Sequence, residues 1–354
     1  MTIPASAIHL VGQYQVVRPL AHGGVGWIYL ARDTHLDDRL VVLKGLINAQ
    51  DPAAVEAAVS ERRYLVTLDH PKIVRILDFV EHPDPDLGVR TGYTVMEYVG
   101  GWLLEAVKQA SRTGNHLLRV EEVIEYGLQI LEALEYLHGR GVLYCDLKPD
   151  NVIHRYNEIK LIDMGAVCPI DHPGPAWGTE RYRVSTKEIK TRGGMKVDMD
   201  LYTVGKTLRA LFSASMERSL FGPAATDMSI DIAAGLESFR FVVDRACDEE
   251  WTRRFGSASE MREQLHGVLR QITALRGATL SPRESVLFAP RLSLFDDGLG
   301  RQPPLDGWID VPAGKAPIRA ETLADGRPSL ASVAVGLPEP RTDPADPAAG
   351  SWPE

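Results

Sequence analysis

The stretch Leu143-Tyr144-Cys145-Asp146-Leu147-Lys148-Pro149-Asp150-Asn151-Val152-Ile153, followed by Ile162-Asp163-Met164-Gly165, constrains this chain more than any other. It sets an acid, a lysine, an amide and a second acid among apolar residues that read as short strands. That order of groups suits one purpose: an acid to orient a hydroxyl, a lysine to face a phosphate, and Asn with Asp to hold Mg²⁺ through hard oxygen donors. Each residue taken alone reads as ordinary surface polarity. The set in this order does not.

The totals narrow the classes. At 354 residues the chain is long enough for a two-lobed domain and an appendage. The net charge is −9 and no basic stripe with interleaved aromatics appears, which argues against a nucleic-acid partner. No apolar run reaches the roughly 18–20 residues that span a bilayer, and Met1-Thr2-Ile3-Pro4 lacks the basic and apolar regions of a secretory signal. Three cysteines without a C-x-x-C argue against a disulfide framework and against a zinc or iron site. These features predict a reduced, cytoplasmic protein with no membrane span.

The opening block resembles the catalytic and metal-binding loops of the protein kinases. Asp146 to Asn151 matches the five-residue step of that family's H-R-D-x-x-x-x-N loop, and Asp163-Met164-Gly165 stands where the family has D-F-G. The resemblance implies an α+β, bilobal fold with a small, mainly antiparallel β N-lobe carrying one helix, and a larger, mainly α-helical C-lobe. It assigns Asp146 to the substrate hydroxyl, Lys148 to the transferred phosphoryl group, and Asn151 and Asp163 to Mg²⁺. A lysine two residues after the acid is the serine/threonine form of the loop.

The N-terminal region agrees. Gln13 to Leu20 reads as a first strand, and Ala21-His22-Gly23-Gly24-Val25-Gly26-Trp27-Ile28 leads into a second that runs to about Ala31. Glycines between strands let backbone amides approach phosphates, although alone the pattern equally fits a hairpin turn. Against the family's G-x-G-x-x-G-x-V, Ala21 replaces the first glycine, and Gly23, Gly26 and Ile28 fit the rest; Gly24 lies inside the same loop. No helix pattern follows, so a dinucleotide-binding reading fails.

Leu40 to Lys44 is an apolar strand ending in a lysine, and Pro52 to Leu68 reads as a helix. In the resembling family a lysine so placed pairs with a helix glutamate. Glu61 is the predicted partner, with Glu56 in reserve. Ile73 to Phe79 and Tyr93 to Met96 complete the predicted sheet. Met96-Glu97-Tyr98-Val99-Gly100-Gly101 resembles a hinge, with backbone groups of Glu97 and Val99 meeting the adenine of ATP and Ile28, Val42 and Ile153 enclosing it. The predicted domain runs over 12–275, as an N-lobe 12–96, a hinge 97–101 and a C-lobe 102–275, after an extension over 1–11.

In the C-lobe, Val120 to Gly139 has helical apolar spacing. Tyr144 and Met164 stand where the family has His and Phe, and both are bulky enough to stack with Leu65 and Ile76. Cys145 stands where the family has an arginine that awaits a phosphate, and residues 166–177 contain no Ser, Thr or Tyr. This predicts activity without phosphorylation of that segment. Cys145 itself reads as a small loop-filling side chain, with a redox sensor as the alternative. Gly178-Thr179 is predicted to bring the Thr179 hydroxyl to Asp146 and Lys148. Thr186-Lys187-Glu188 aligns with the family's A-P-E, which predicts a buried pair between Glu188 and Arg254. Asp200 is predicted to open a central buried helix and to cap the catalytic loop. The triplet Gly205-Lys206-Thr207 is rejected as a phosphate loop because Asp200 occupies the position that requires glycine. Phe239 to Cys247 and Ser257 to Leu269 read as the last helices.

Ala21 to Leu30, Val41 to Leu46, Leu161 to Val167 and Ser281-Pro282-Arg283 more narrowly resemble the soluble, actinobacterial protein kinase G family over about 12–300. That family carries a rubredoxin-like domain before the kinase core and tetratricopeptide repeats after it. The expectation here is a core without either flank, an extension over 276–301 packing on the kinase, and a Pro/Ala-rich, disordered linker over 302–354. The resemblance implies Ser/Thr phosphorylation of a protein substrate, with a forkhead-associated-domain regulator as candidate. The rival reading is a pseudokinase acting as a nucleotide-binding scaffold. Lys148 and the Gly178-Thr179 pair disfavour a small-molecule phosphotransferase.

Overall fold

Alternating apolar residues decide the first layer. The structure, a computed structural model, describes residues 10–23, 26–45, 63–83, 90–113, 118–172, 178–221 and 230–277. The chain divides into two units at Ala278, and the second unit, 279–354, lies outside the described residues, as do the predicted extension from 278 onward and the predicted linker.

Strands β1 (Leu10–Val11), β2 (Tyr14–Gly23), β3 (Gly26–Asp33), β4 (Arg39–Gly45), β5 (Ile76–Pro83) and β6 (Arg90–Glu97) form one antiparallel sheet in the order β1-β2-β3-β4-β6-β5. Tyr29, Ala31, Val41, Leu43 and Val95 bury one face with Val11 and Tyr14. The opposite face carries Ile28, Val42, Lys44, Thr94 and Met96, because the register sets Ile28 beside Lys44, Lys44 beside Thr94 and Val42 beside Met96. The period of two thus places Lys44 on the same face as the predicted adenine contacts. Pro19, which has no ladder donor, falls at an irregularity in β2.

Three sequence expectations for this lobe change. The first strand extends past Leu20 to Gly23, because pairing with β3 carries Ala21-His22-Gly23 along. Of the predicted Pro52–Leu68 helix, the described part, Arg63–Thr67, is 3₁₀ rather than α, with the Leu68 N–H on the Leu65 carbonyl at 3.2 Å. Such tight turns close helices, and Pro71 bars helical conformation at His70. Glu56 and Glu61 lie outside the described residues. The strand predicted from Ile73 starts only at Ile76. Ile73 instead forms a parallel bridge to Leu161, where the Val74 N–H donates to the Leu161 carbonyl and the Leu161 N–H to the Lys72 carbonyl, each at 2.8 Å.

The second lobe is helical: α1 (Leu104–Thr113), α2 (Val120–His138), α3 (Thr186–Thr191), α4 (Val197–Phe221), α5 (Ile230–Ala246) and α6 (Ala258–Leu275). Val120, Val123, Ile124, Ile130, Leu131, Leu134 and Leu137 give α2 a buried stripe at helical spacing. Gly127 within it lets α4 and α6 approach: a Cβ there would stand 3.1 Å from both Leu208 and Leu265 side chains. Gly205 has the same packing role inside α4, where a Cβ would meet Cys247 Sγ at 2.7 Å. The Gly-Lys-Thr triplet is therefore helix interior. Ser257 caps α6 by accepting from the Glu260 N–H at 3.1 Å, while Glu260 accepts from Gly256 rather than from the cap residue. Short strands β7 (Trp102–Leu103), β8 (Val142–Leu143), β9 (Val152–Arg155), β10 (Glu158–Leu161) and β11 (Cys168–Pro169) frame the loops between the lobes. They make two small sheets, β10-β9-β7 and β11-β8. The observed architecture is the bilobal α+β fold that the sequence implied.

Candidate active site

The loop between β8 and β9 is held by a buried acid. Asp200, in the first turn of α4 and fully buried, accepts the N–H of Tyr144 through Oδ2 and that of Cys145 through Oδ1, each at 2.7 Å. His138 Nε2 lies 3.0 Å from the same Oδ2. The capping expected of Asp200 is present. Cys145 takes a left-handed backbone conformation, φ 68°, which is costly outside glycine. The two charge-assisted bonds to Asp200 hold it there.

That bend presents Asp146. Its Oδ1 accepts from the Thr179 N–H and hydroxyl, each at 2.7 Å. Its Oδ2 accepts from Lys148 Nζ at 2.8 Å and from Asn151 Nδ2 at 3.0 Å. Lys148 Nζ also reaches Thr179 Oγ1 at 2.6 Å. Gly178 allows this convergence: at φ 91°, a Cβ would stand 2.4 Å from the Cys145 carbonyl, a position only glycine fills.

Asn151 spends its Nδ2 on Asp146, on the backbone oxygen at 2.8 Å as well as on the carboxylate, which leaves its amide oxygen as the atom a cation would take. The Asn151 carbonyl accepts the Ile162 N–H at 3.0 Å, so Asp163 is brought next to it. Asp163 Oδ1 accepts from Lys44 Nζ at 2.6 Å and from the Gly165 N–H at 2.9 Å. Burial alone would raise the Asp163 carboxyl; the Lys44 ammonium, with the Gly165 N–H and the Lys148 charge, outweighs it and holds the group below its usual range. An amide oxygen beside an ionised carboxylate is a hard-oxygen pair that fits Mg²⁺ and would not select a soft metal.

Lys44, Met96, Asp146 and Asp163 line one cavity with Leu65, Ile76, Thr94 and Met164. Ile28 and Val42 share the sheet face of Lys44. Ile153, on β9, packs against the backbone at Gly101, where a Cβ would stand 2.8 Å from its Cγ2. Val99 packs on the main core. Ala21 and Gly23 end β2 opposite Ile28 and Gly26 on β3, and Gly24 lies outside the described residues. The Glu97 amide is engaged with the Arg75 carbonyl at 3.0 Å, so of its two backbone groups only the carbonyl suits an adenine donor. The Glu97 carboxylate meets Lys160 Nζ at 2.6 Å and the Arg75 N–H at 2.8 Å.

Tyr144, Met164, Leu65 and Ile76 all belong to the main buried cluster, so the two exchanged residues pack as predicted. Burial pushes the Tyr144 phenol well above its ordinary value, and the Asp163 charge adds to this. Its hydroxyl lies 3.5 Å from the Asn151 carbonyl, too long for a strong bond, and its oxygen accepts from the Asp163 backbone N–H. Tyr144→Phe is therefore expected to cost about 1–3 kcal/mol, because the buried Asp163 N–H loses this acceptor. Tyr144→Ala should cost about 3–5 kcal/mol through the cavity it leaves. Urea unfolding of both variants checks this pair of values, and an equal loss in the two variants would contradict it.

A family model described as the protein kinase domain matches residues 14–276. The chain belongs to the protein kinase family. It is 42% identical over 287 residues to a serine/threonine-protein kinase PknG of Mycobacterium leprae, covering 81% of this chain and 37% of that protein. It is likewise 42% identical over 286 residues to the PknG of Mycolicibacterium smegmatis, covering 80% and 36%. This chain thus spans little more than a third of the length of either relative. The solved kinase domain of Mycobacterium tuberculosis PknI is similar in fold, with a TM-score of 0.55 and 22% identity over 74% of this chain and 99% of that one. Among the described residues of this kinase domain, no helix is long and apolar enough to cross a membrane.

Sequence reasoning missed two features of the site. Lys44 reaches Asp163, a contact across 119 positions that no local spacing announces. The thiols of Cys145 and Cys168 lie 3.4 Å apart.

Proposed function

We propose that the chain is a serine/threonine protein kinase that transfers the γ-phosphate of Mg·ATP to protein hydroxyls and needs no phosphate on residues 163–179. The four donors converging on the Asp146 carboxylate carry this reading: Lys148, Asn151 and both groups of Thr179, at 2.7–3.0 Å. A carboxylate fixed this way is oriented to accept a hydroxyl proton, worth about 10²–10⁴ in rate. Lys148 neutralises the transferred group. Lys44 binds the α- and β-phosphates, with Glu61 as its helix partner. Asn151 and Asp163 hold Mg²⁺, which spreads the phosphate charge when bound. The Glu97 carbonyl and the Val99 backbone meet adenine; Met96, Ile28, Val42 and Ile153 enclose it, and Ala21, Gly23, Gly24 and Gly26 cover the phosphates.

Independence from the usual phosphate switch follows from Cys145. It packs with Leu143, Cys168, Val184, Ile189, Met195 and Met199, so apolar contacts tie the segment to the catalytic loop where the resembling family uses an arginine. The substrate is a cytoplasmic protein, and the family resemblance points to a forkhead-associated-domain regulator.

The test is γ-labelled ATP with Mg²⁺ and a basic protein acceptor, read by phosphoamino-acid analysis. Label on Ser and Thr is expected, and no transferred label overturns the reading. Phosphatase treatment should leave the rate within about twofold, and intact mass should show no modification in 163–179. A phosphate there on which activity depends overturns the autonomy.

A further inference from the structure

Cys145 and Cys168 are both free, and both are buried. Cys145 is fully enclosed and Cys168 is 5% exposed. Their sulfurs are 3.4 Å apart, and a disulfide bond is about 2.05 Å, so closing it moves the two sulfurs together by well under the length of one bond. The backbone favours this meeting. Cys168, on β11, pairs with Leu143 on β8, and Cys145 lies two residues beyond Leu143.

We propose that these two cysteines form a reversible disulfide that lowers the turnover of the kinase domain, a redox site that rests on the kinase reading above. The oxidant class is a hydroperoxide. Cys168 is the attacking sulfur: it is the one of the two that reaches the surface, 5% exposed against 0% for Cys145, while contact with Cys168 and deeper burial push the Cys145 thiol up. The Cys168 thiolate attacks the peroxide O–O bond, which breaks and releases hydroxide, leaving a sulfenic acid. Cys145 gives up its proton, its sulfur displaces the second hydroxide from Cys168, and the S–S bond forms. The two thiols lose two electrons and two protons, and hydrogen peroxide leaves as two waters. A dithiol reductant reverses the step.

The consequence for turnover comes from what else holds Cys145. Its N–H is fixed on Asp200 at 2.7 Å. Its carbonyl sits against Gly178, with no room for a Cβ between them. Asp146 is the next residue. Drawing the Cys145 sulfur toward β11 works against these anchors, so the strain falls on Asp146 and on Gly178-Thr179. Displacements near 1 Å at a reacting group cost about 10²-fold. Lys44 and the Met96–Val99 stretch lie outside the segment 145–168, and Asn151, Ile153 and Asp163 lie within it but away from the two linked ends, so nucleotide binding should change less than turnover.

The whole chain is treated with stoichiometric hydrogen peroxide, alkylated, and mapped without reduction. The expected product lacks the mass of two hydrogens, contains a Cys145–Cys168 cross-linked peptide, and leaves Cys247 alkylated. kcat should fall by about tenfold or more, with the KM for ATP within about threefold, and dithiothreitol should restore it. Cys168→Ser should keep the reduced rate and resist peroxide, and Cys168→Ala serves if the serine variant does not fold. Absence of the cross-link, a cross-link with unchanged kcat, or equal inactivation of Cys168→Ser overturns the proposal. A reduced chain that transfers no phosphate overturns the kinase reading and the inhibition together, while the mass still decides the disulfide by itself.

Discussion

Asp146→Asn is expected to cut kcat for protein phosphorylation by about 10²–10⁴-fold. Each oxygen of Asp146 serves two donors, Thr179 on one side and Lys148 with Asn151 on the other. An asparagine must turn its NH₂ toward one of these pairs, so a donor meets donors whichever way it is placed. Two effects follow. The group that accepts the hydroxyl proton is gone, and the loop loses about 1–3 kcal/mol of local order. Nucleotide affinity should hold within a few-fold, because Lys44 contacts Asp163 rather than Asp146. Radiolabel transfer measured beside ATP binding by calorimetry separates these contributions. Equal label from wild type and variant would sink the kinase reading.

Arg254→Ala is expected to cost about 3–5 kcal/mol of stability, lowering Tm by about 6–12 °C for a domain of this size. The Arg254 side chain is 2% exposed and binds Glu188 through both terminal nitrogens, at 2.7 and 3.0 Å, and Asp198 at 3.2 Å. It also donates to the Asp248 carbonyl at 2.7 Å. Removing it leaves two largely buried carboxylates facing each other. Arg192, bound to Asp198 at 2.7 and 2.8 Å and to Glu188 at 3.3 Å, tempers that repulsion and sets the loss at the lower end of the range. Glu188→Ala should cost less, since Asp198 still pairs both arginines. Thermal unfolding decides it: a loss under about 1 kcal/mol for Arg254→Ala would show that Glu188 and Asp198 are not left uncompensated without it.

The Glu188–Arg254 pair was legible because remnants of a three-residue signature survive around Glu188. Asp200 was legible because a buried acid opening an apolar helix needs partners, and the N–H groups of a bent loop supply them. The order of Asp146, Lys148, Asn151 and Asp163 carried most of the site. That Lys44 and Asp163 would converge on one site followed from the family resemblance, but their direct ion pair was not legible, since the sequence assigned Glu61 as the partner of Lys44. Nor was the thiol pair, because β8 and β11 are two residues each and too short to show a period. Alternation marked β2 only as far as Leu20; Ala21-His22-Gly23 has weak strand propensity and is carried by its partner strand.

The bridge at Ile73 has a mechanical meaning. Through Lys72 and Val74 the small lobe is stapled to Leu161, two residues before Asp163. A cleft that opens to exchange nucleotide while this staple holds would swing like a door on a fixed pin, its rim travelling further than the stretch that leads to Asp163.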